Sequence, residues 1–118
     1  MQYLFLIYAQ EEDMPETKSP EEFAAMMKPW NDYTEELTRL GVFVAGEALQ
    51  SVKTATTVTA QSGEPVFTDG PFAETKEQLG GFYMVNCKDL DQAMTLAAKC
   101  PGTLFGRVEV RPIADLGE

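Results

Sequence analysis

The chain reads as a single α+β domain, a ferredoxin-like βαββαβ sandwich with an inserted β-hairpin. Three observations predict it. Two strand-like runs, Gln2 to Tyr8 and Phe82 to Cys87, are apolar on both faces, as central strands covered from two sides are. Two segments open with helix-capping signals and continue with apolar residues at spacings of three and four. The elements alternate in the order β-α-β, hairpin, loop, β-α-β, which places the two doubly apolar strands at the centre of one sheet.

The 118 residues suit one domain (1–118) with a core of its own, and the 44% hydrophobic content is ordinary for a globular protein. No segment reaches the roughly 18 consecutive apolar residues of a membrane span. Met1 to Ala9 lacks the basic flank and cleavage site of a signal peptide, so a cytoplasmic location is expected. A formal charge of −10 argues against nucleic acid, whose phosphates bind through Lys and Arg, and points to solubility or to an acidic face for a basic protein partner. Cys87 and Cys100 are the only cysteines, and there is no histidine. That composition supplies neither a zinc framework nor a histidine-activated nucleophile, and no spacing suggests a metal or cofactor. Proton chemistry would fall to carboxylates, Lys, Tyr, Cys or water.

Along the chain, Glu11 to Lys18, with Pro15, reads as a loop. Ser19, Pro20 and Glu22 then supply an N-cap, a first-turn proline and a capping box. The stripe Phe23, Met26, Met27, Trp30, Tyr33, Leu37 and Leu40 predicts a core-facing helix ending at Gly41, kinked between Ala25 and Pro29. Val42 to Leu49 is a strand interrupted in character by Gly46 and Glu47. Ala55 to Gln61, a turn at Ser62 to Pro65, and Val66 to Thr68 form the hairpin. Asp69-Gly70-Pro71 is a turn, since Asp bonds nearby backbone, Gly accepts positive φ and Pro fixes φ. Phe72 to Leu79 has helix formers for a turn or two, broken by Gly80-Gly81. Asp89 to Gln92 opens a second helix with the stripe Leu90, Ala93, Met94, Ala97 and Ala98, stopped by Cys100-Pro101-Gly102. In the last strand, Thr103 to Pro112, Phe105, Arg107, Glu109 and Arg111 alternate with Gly106, Val108 and Val110, and the tail beyond frays.

The least generic stretch is Asp69 to Gly81, supported by Gly46-Glu47-Ala48-Leu49 and Val108-Glu109-Val110-Arg111-Pro112. On these residues the chain resembles the DGPF branch of the YCII-related family, over Tyr3 to Arg111. The resemblance implies homodimers that pair their sheets as a dimeric α+β barrel. It also carries an association with extracytoplasmic-type sigma factors, which implies regulation. The His and Asp pair of some family members has no counterpart here, because histidine is absent.

The expected site is a cleft where this signature loop meets the sheet. Asp69 is the catalytic candidate: a turn-fixed carboxylate beside Phe67, Phe72 and Phe82 could serve as general base or acid, and otherwise serves as an Asx-turn. Tyr8, Glu47, Glu74, Lys76 and Tyr83 are the ligand-binding candidates, with Glu77 on the same loop. The expected ligand is a small organic molecule, an acid being one option, and the expected chemistry isomerase- or lyase-like proton transfer. A non-catalytic interaction module is the alternative.

Overall fold

The computed structural model describes residues 1–11 and 17–117. The central part of the expected Glu11 to Lys18 loop, including Pro15, lies outside the described residues. The elements are β1 (Gln2–Ala9), α1 (Pro20–Arg39), β2 (Phe43–Ala48), β3 (Thr56–Gln61), β4 (Glu64–Asp69), β5 (Gln78–Asn86), α2 (Leu90–Ala98) and β6 (Gly106–Pro112). Four strands form one antiparallel sheet in the order β2-β5-β1-β6, the ferredoxin-like arrangement, with β5 and β1 central. Strands β3 and β4 form a separate two-stranded sheet.

Side-chain alternation sorts the main sheet into two faces. Tyr3, Phe5, Ile7, Tyr83 and Val85 are buried and join Tyr33, Leu37, Ala93, Leu96 and Ala97 of the helices in one core. Val108 and Val110 close it along β6. On the opposite face, registered pairs place Leu4 beside Met84 and Arg111, Leu6 beside Phe82 and Glu109, and Phe82 beside Glu47. Among the described residues no helix covers this second face, and its apolar side chains are half-exposed. The two-sided hydrophobicity of β1 and β5 therefore finds only half its cover among the described residues.

Both helix starts are built as expected. Ser19 Oγ accepts from Glu22 N at 3.1 Å while the Glu22 carboxylate accepts from Lys18 N at 2.9 Å; Asp89 and Gln92 repeat the arrangement at α2. Helix α1 runs through Pro29 as one continuous helix. Its stripe is buried only in its C-terminal half, at Tyr33 and Leu37 with Trp30 packed alongside, and Phe23 in the first turns is exposed. In α2 the buried residues are Ala93, Leu96 and Ala97, whereas Leu90, Met94 and Ala98 face outward. The small residues seat the helix on the sheet, and Leu96 supplies the bulk.

Four features differ from the sequence expectation. The hairpin turns on Ser62 and Gly63 alone, both at positive φ (51° and 82°), and Pro65 stands inside β4, where an edge strand tolerates a missing donor. Phe72 to Leu79 forms no helix. Gly80-Gly81 lies within β5, because a side chain at Gly81 would come within 2.8 Å of the Glu47 carbonyl; the glycine lets β2 and β5 approach. Finally, Pro101–Leu104 is a 3-10 turn, so β6 begins at Gly106 instead of Thr103. Beyond Pro112, Ile113 still donates to Gln2 O at 2.9 Å.

The molecule extends 48 × 47 × 21 Å with a radius of gyration of 16.4 Å. A compact chain of this length would have about 13 to 14 Å. The β3–β4 hairpin stands outside the main sheet as a separate arm, in keeping with that extended shape. Its base is tied down by Glu11, whose carboxylate accepts from Ser51 Oγ at 2.9 Å and from Val52 N at 2.8 Å.

Candidate functional site

The signature loop follows from its turn chemistry. Asp69 ends β4 opposite Thr56, Gly70 takes φ 94°, and Gly70 N donates to Ala55 O at 2.7 Å, closing the base of the arm. Thr57 Oγ1 donates to Gly70 O at 2.7 Å. Further on, the Gln78 amide donates to Ala73 O and Thr75 O, and Thr75 Oγ1 to Glu77 O, so a polar network holds the loop in place of helical bonds. Glu77 then reaches Arg107 of β6 at 3.4 Å.

Among the described residues the Asp69 carboxylate has no hydrogen-bond or ion-pair partner, and it is exposed. Phe67 and Phe72, expected to shield it, are 68% and 89% exposed. Alternation along the hairpin places Asp69 on the same arm face as Phe67 and Pro65, opposite Thr56, Val58 and Ala60. Val58 is 59% exposed as well. Glu74 and Lys76 are exposed on the loop.

Tyr8 and Glu47 both lie on the open face of the main sheet, near opposite edges. Tyr8 is paired with Arg107, and Glu109 accepts from Arg111 at 2.6 Å. The Glu109 carboxylate holds the Arg111 guanidinium above its ordinary range, first by that hydrogen bond, with a smaller contribution from Tyr8. The open face thus combines an apolar centre of Leu4, Leu6, Phe82 and Met84 with Glu47 on β2 and, along β6, Arg107 and Arg111 flanking Glu109.

Tyr83 is on the other side. It is buried among Tyr33 (ring centroids 5.3 Å) and Phe43 (6.3 Å), and its hydroxyl shares a 2.7 Å hydrogen bond with Thr34 Oγ1. Burial pushes its phenol pKa upward. The structure therefore gathers Tyr8 and Glu47 on one surface, leaves Asp69, Glu74 and Lys76 on the adjoining arm and loop, and separates Tyr83 from both. Arg107 and Arg111 were legible in the β6 alternation as a charge ladder. The Glu77 contact and the Glu11 tie were not, since each joins residues distant in sequence.

Two shallow grooves border α1, one lined by Asp32, Glu35 and Arg39 and the other by Pro29, Tyr33 and Leu104; neither includes the signature loop. Among the described residues no three or more Cys, Asp or Glu side chains are grouped to hold a metal ion, and no helix is long and apolar enough to cross a membrane.

A ferredoxin-like sheet with one bare face and a projecting signature loop defines the structural class, and comparison of the sequence places it. The chain matches the YCII-related domain over residues 1–116 and belongs to that family. It is similar to "Uncharacterized protein R00369" of Rhizobium meliloti (strain 1021), 36% identical over 118 residues that span 97% of this chain and 93% of the relative.

Proposed function

We propose that the protein works as a homodimer that binds a small organic acid at the open sheet face, where the Asp69 loop adjoins it. The supporting observation is the composition of that face. An apolar centre accepts a carbon skeleton, the exposed guanidinium groups of Arg107 and Arg111, each engaging one carboxylate (Glu77 and Glu109), keep further N–H donors for a ligand carboxylate, and Tyr8 and Glu47 offer a hydroxyl and a carboxylate for orientation or proton transfer. Asp69 is the carboxylate assigned to general acid or base work, with Glu74 and Lys76 on the approach. Tyr83 serves as a core residue in this reading.

The test is thermal denaturation of the purified protein against a set of small organic acids. A ligand that binds only the folded state raises the melting temperature by mass action. The expected result is a rise in the parent that Asp69→Asn and Tyr8→Phe abolish without lowering the unliganded melting temperature. Equal rises in parent and Asp69→Asn would remove the signature loop from the site.

One observation favours a second reading, a regulatory interaction module associated with an extracytoplasmic-type sigma factor. Asp69, Phe72, Glu74 and Lys76 are all exposed, with Phe72 almost fully so, as recognition residues are. A salt-sensitive complex with a basic protein that tolerates Asp69→Asn would support this reading over ligand binding.

A further inference from the structure

We infer that Glu77 stands in for the ligand's carboxylate: it holds Arg107 in the free protein, straps the signature loop over the Tyr8 end of the open face, and is released when a ligand carboxylate takes its place. The inference rests on the ligand-binding part of the reading above and names the group that the ligand displaces.

The strap follows from strand order. β1 lies between β5 and β6, with Tyr8 opposite Leu79 on one side and opposite Arg107 on the other. Glu77 stands just before β5, so its backbone is two strand spacings, about 10 Å, from that of Arg107. Their charged groups nevertheless meet at 3.4 Å. Both side chains must therefore lean across the end of β1 that carries Tyr8. Glu77 is the more sheltered of the two, with its side chain 31% exposed against 82% for Arg107.

The same bridge fastens the loop. The hydrogen bonds of this segment are local: the Gln78 amide donates to Ala73 O at 3.0 Å and to Thr75 O at 2.9 Å, and Thr75 Oγ1 to Glu77 O at 2.6 Å. Among the described residues, Glu77 to Arg107 is the one polar tie joining residues 71–77 to any strand other than β5, which they lead into. Gly70, at φ 94°, and Gly80, with nothing nearer than 3.9 Å to where a side chain would stand, are the pivots at the two ends.

Distance decides which arginine exchanges its partner. Glu109 meets Arg111 at 2.6 Å from the same strand, whereas the Glu77 contact exceeds the roughly 2.7 to 2.9 Å of a charge-assisted hydrogen bond. An exposed pair of that kind is weakly held. Nε is the Arg107 atom nearest Glu77, which leaves the terminal nitrogens to receive an incoming carboxylate two-pronged. Two carboxylates on one cation repel, so seating the second loosens the first. A neutral molecule of the same shape has no such leverage. Glu77 thereby sets the charge class of the ligand and couples its arrival to release of the loop.

Two measurements test this, and the first needs no ligand. Lys76 is exposed in the strapped loop, and trypsin cuts after it only when the segment lifts into the protease. Arg107→Gln leaves the cleavage sequence unchanged and should be cut there about two- to fivefold faster than the parent, while Arg111→Gln, which keeps the bridge, should match the parent. Equal rates for parent and Arg107→Gln overturn the inference and leave ligand binding standing. The second measurement is nuclear magnetic resonance titration with sodium benzoate, an apolar ring bearing one carboxylate, against benzamide, its neutral counterpart. Benzoate should bind the parent, speed the cut after Lys76, and bind Glu77→Gln about two- to fivefold more tightly, because no internal competitor remains; benzamide should do none of these. Benzoate binding that is no tighter in Glu77→Gln, or undiminished in Arg107→Gln, overturns the inference alone. Benzoate that binds neither the parent nor Glu77→Gln overturns both the exchange and the organic-acid reading.

Discussion

Tyr33 shows what one buried polar group contributes. Its hydroxyl donates to Leu96 O at 2.7 Å, joining α1 to α2 across the core. Burial drives its phenol pKa far upward, and Tyr83, Cys87 and Cys100 are shifted in the same direction, first by desolvation. All four are acids whose folded form retains its proton longer than the unfolded form. Below the unfolded values, about 8.5 for Cys and 10 for Tyr, their contribution is intact; as pH rises through those values the unfolded state loses protons first, and stability falls. Urea midpoints should therefore decline from about pH 8.5 upward, and Tyr33→Phe should flatten the part of the slope above about pH 10. At neutral pH the same substitution should cost about 1 kcal/mol, because Leu96 O also accepts from Lys99 N and is not left orphaned. Legibility at this scale was uneven. The capping residues, the core side of Tyr33 and the alternation of Arg107 to Arg111 follow from local pattern. That Tyr83 faces the helices while Tyr8 faces the open side follows from strand parity, but which parity is inward depends on where the helices pack.

Among the elements, α2 is the shortest helix that has to hold its place. It spans nine residues, buries only Ala93, Leu96 and Ala97, and so leans on its N-terminal cap. Asp89→Ala removes the acceptor for Gln92 N, and the expected loss is about 1 kcal/mol in chemical denaturation, with no change in the far-ultraviolet spectrum of the folded state. Asp91→Ala, one turn position on and free of the cap, is the control and should change little. The segment that pattern reading misjudged most is Phe72 to Leu79. Its residues favour a helix, yet the chain there must return from the arm to the central strand, and Gln78 is already paired with Ala9. Tertiary pairing overrode local propensity. The mismatch at Gly80-Gly81 has the same origin, since a glycine pair reads as a break when no neighbouring strand is known to press against it.

Across the whole molecule, the net charge of −10 opposes association of identical copies, while the surfaces available for it are apolar. Added salt screens that repulsion and strengthens burial of apolar area. If the proposed homodimer is held by its apolar sheet faces, self-association should tighten between about 0.05 and 0.5 M sodium chloride, read by sedimentation equilibrium. Binding to a basic protein through the acidic surface should weaken over that range. The sign of the salt effect thus separates the homodimer from the regulatory complex without knowledge of either ligand. The sheet order and the bare second face were both legible in the sequence, through the two doubly apolar strands. The arm's detachment from the main sheet was not, because a hairpin pattern records its own pairing and nothing of its neighbours.

The Ser62-Gly63 hairpin has its own ladder and shares no strand pairing with the main sheet. The core is closed by side chains from six elements, whereas the arm is held by its own ladder and by the ties at its base, Gly70 N to Ala55 O and Ser51 and Val52 to Glu11. Its amides should therefore exchange hydrogen well before those of β1 and β5, so that one chain opens on two separate timescales.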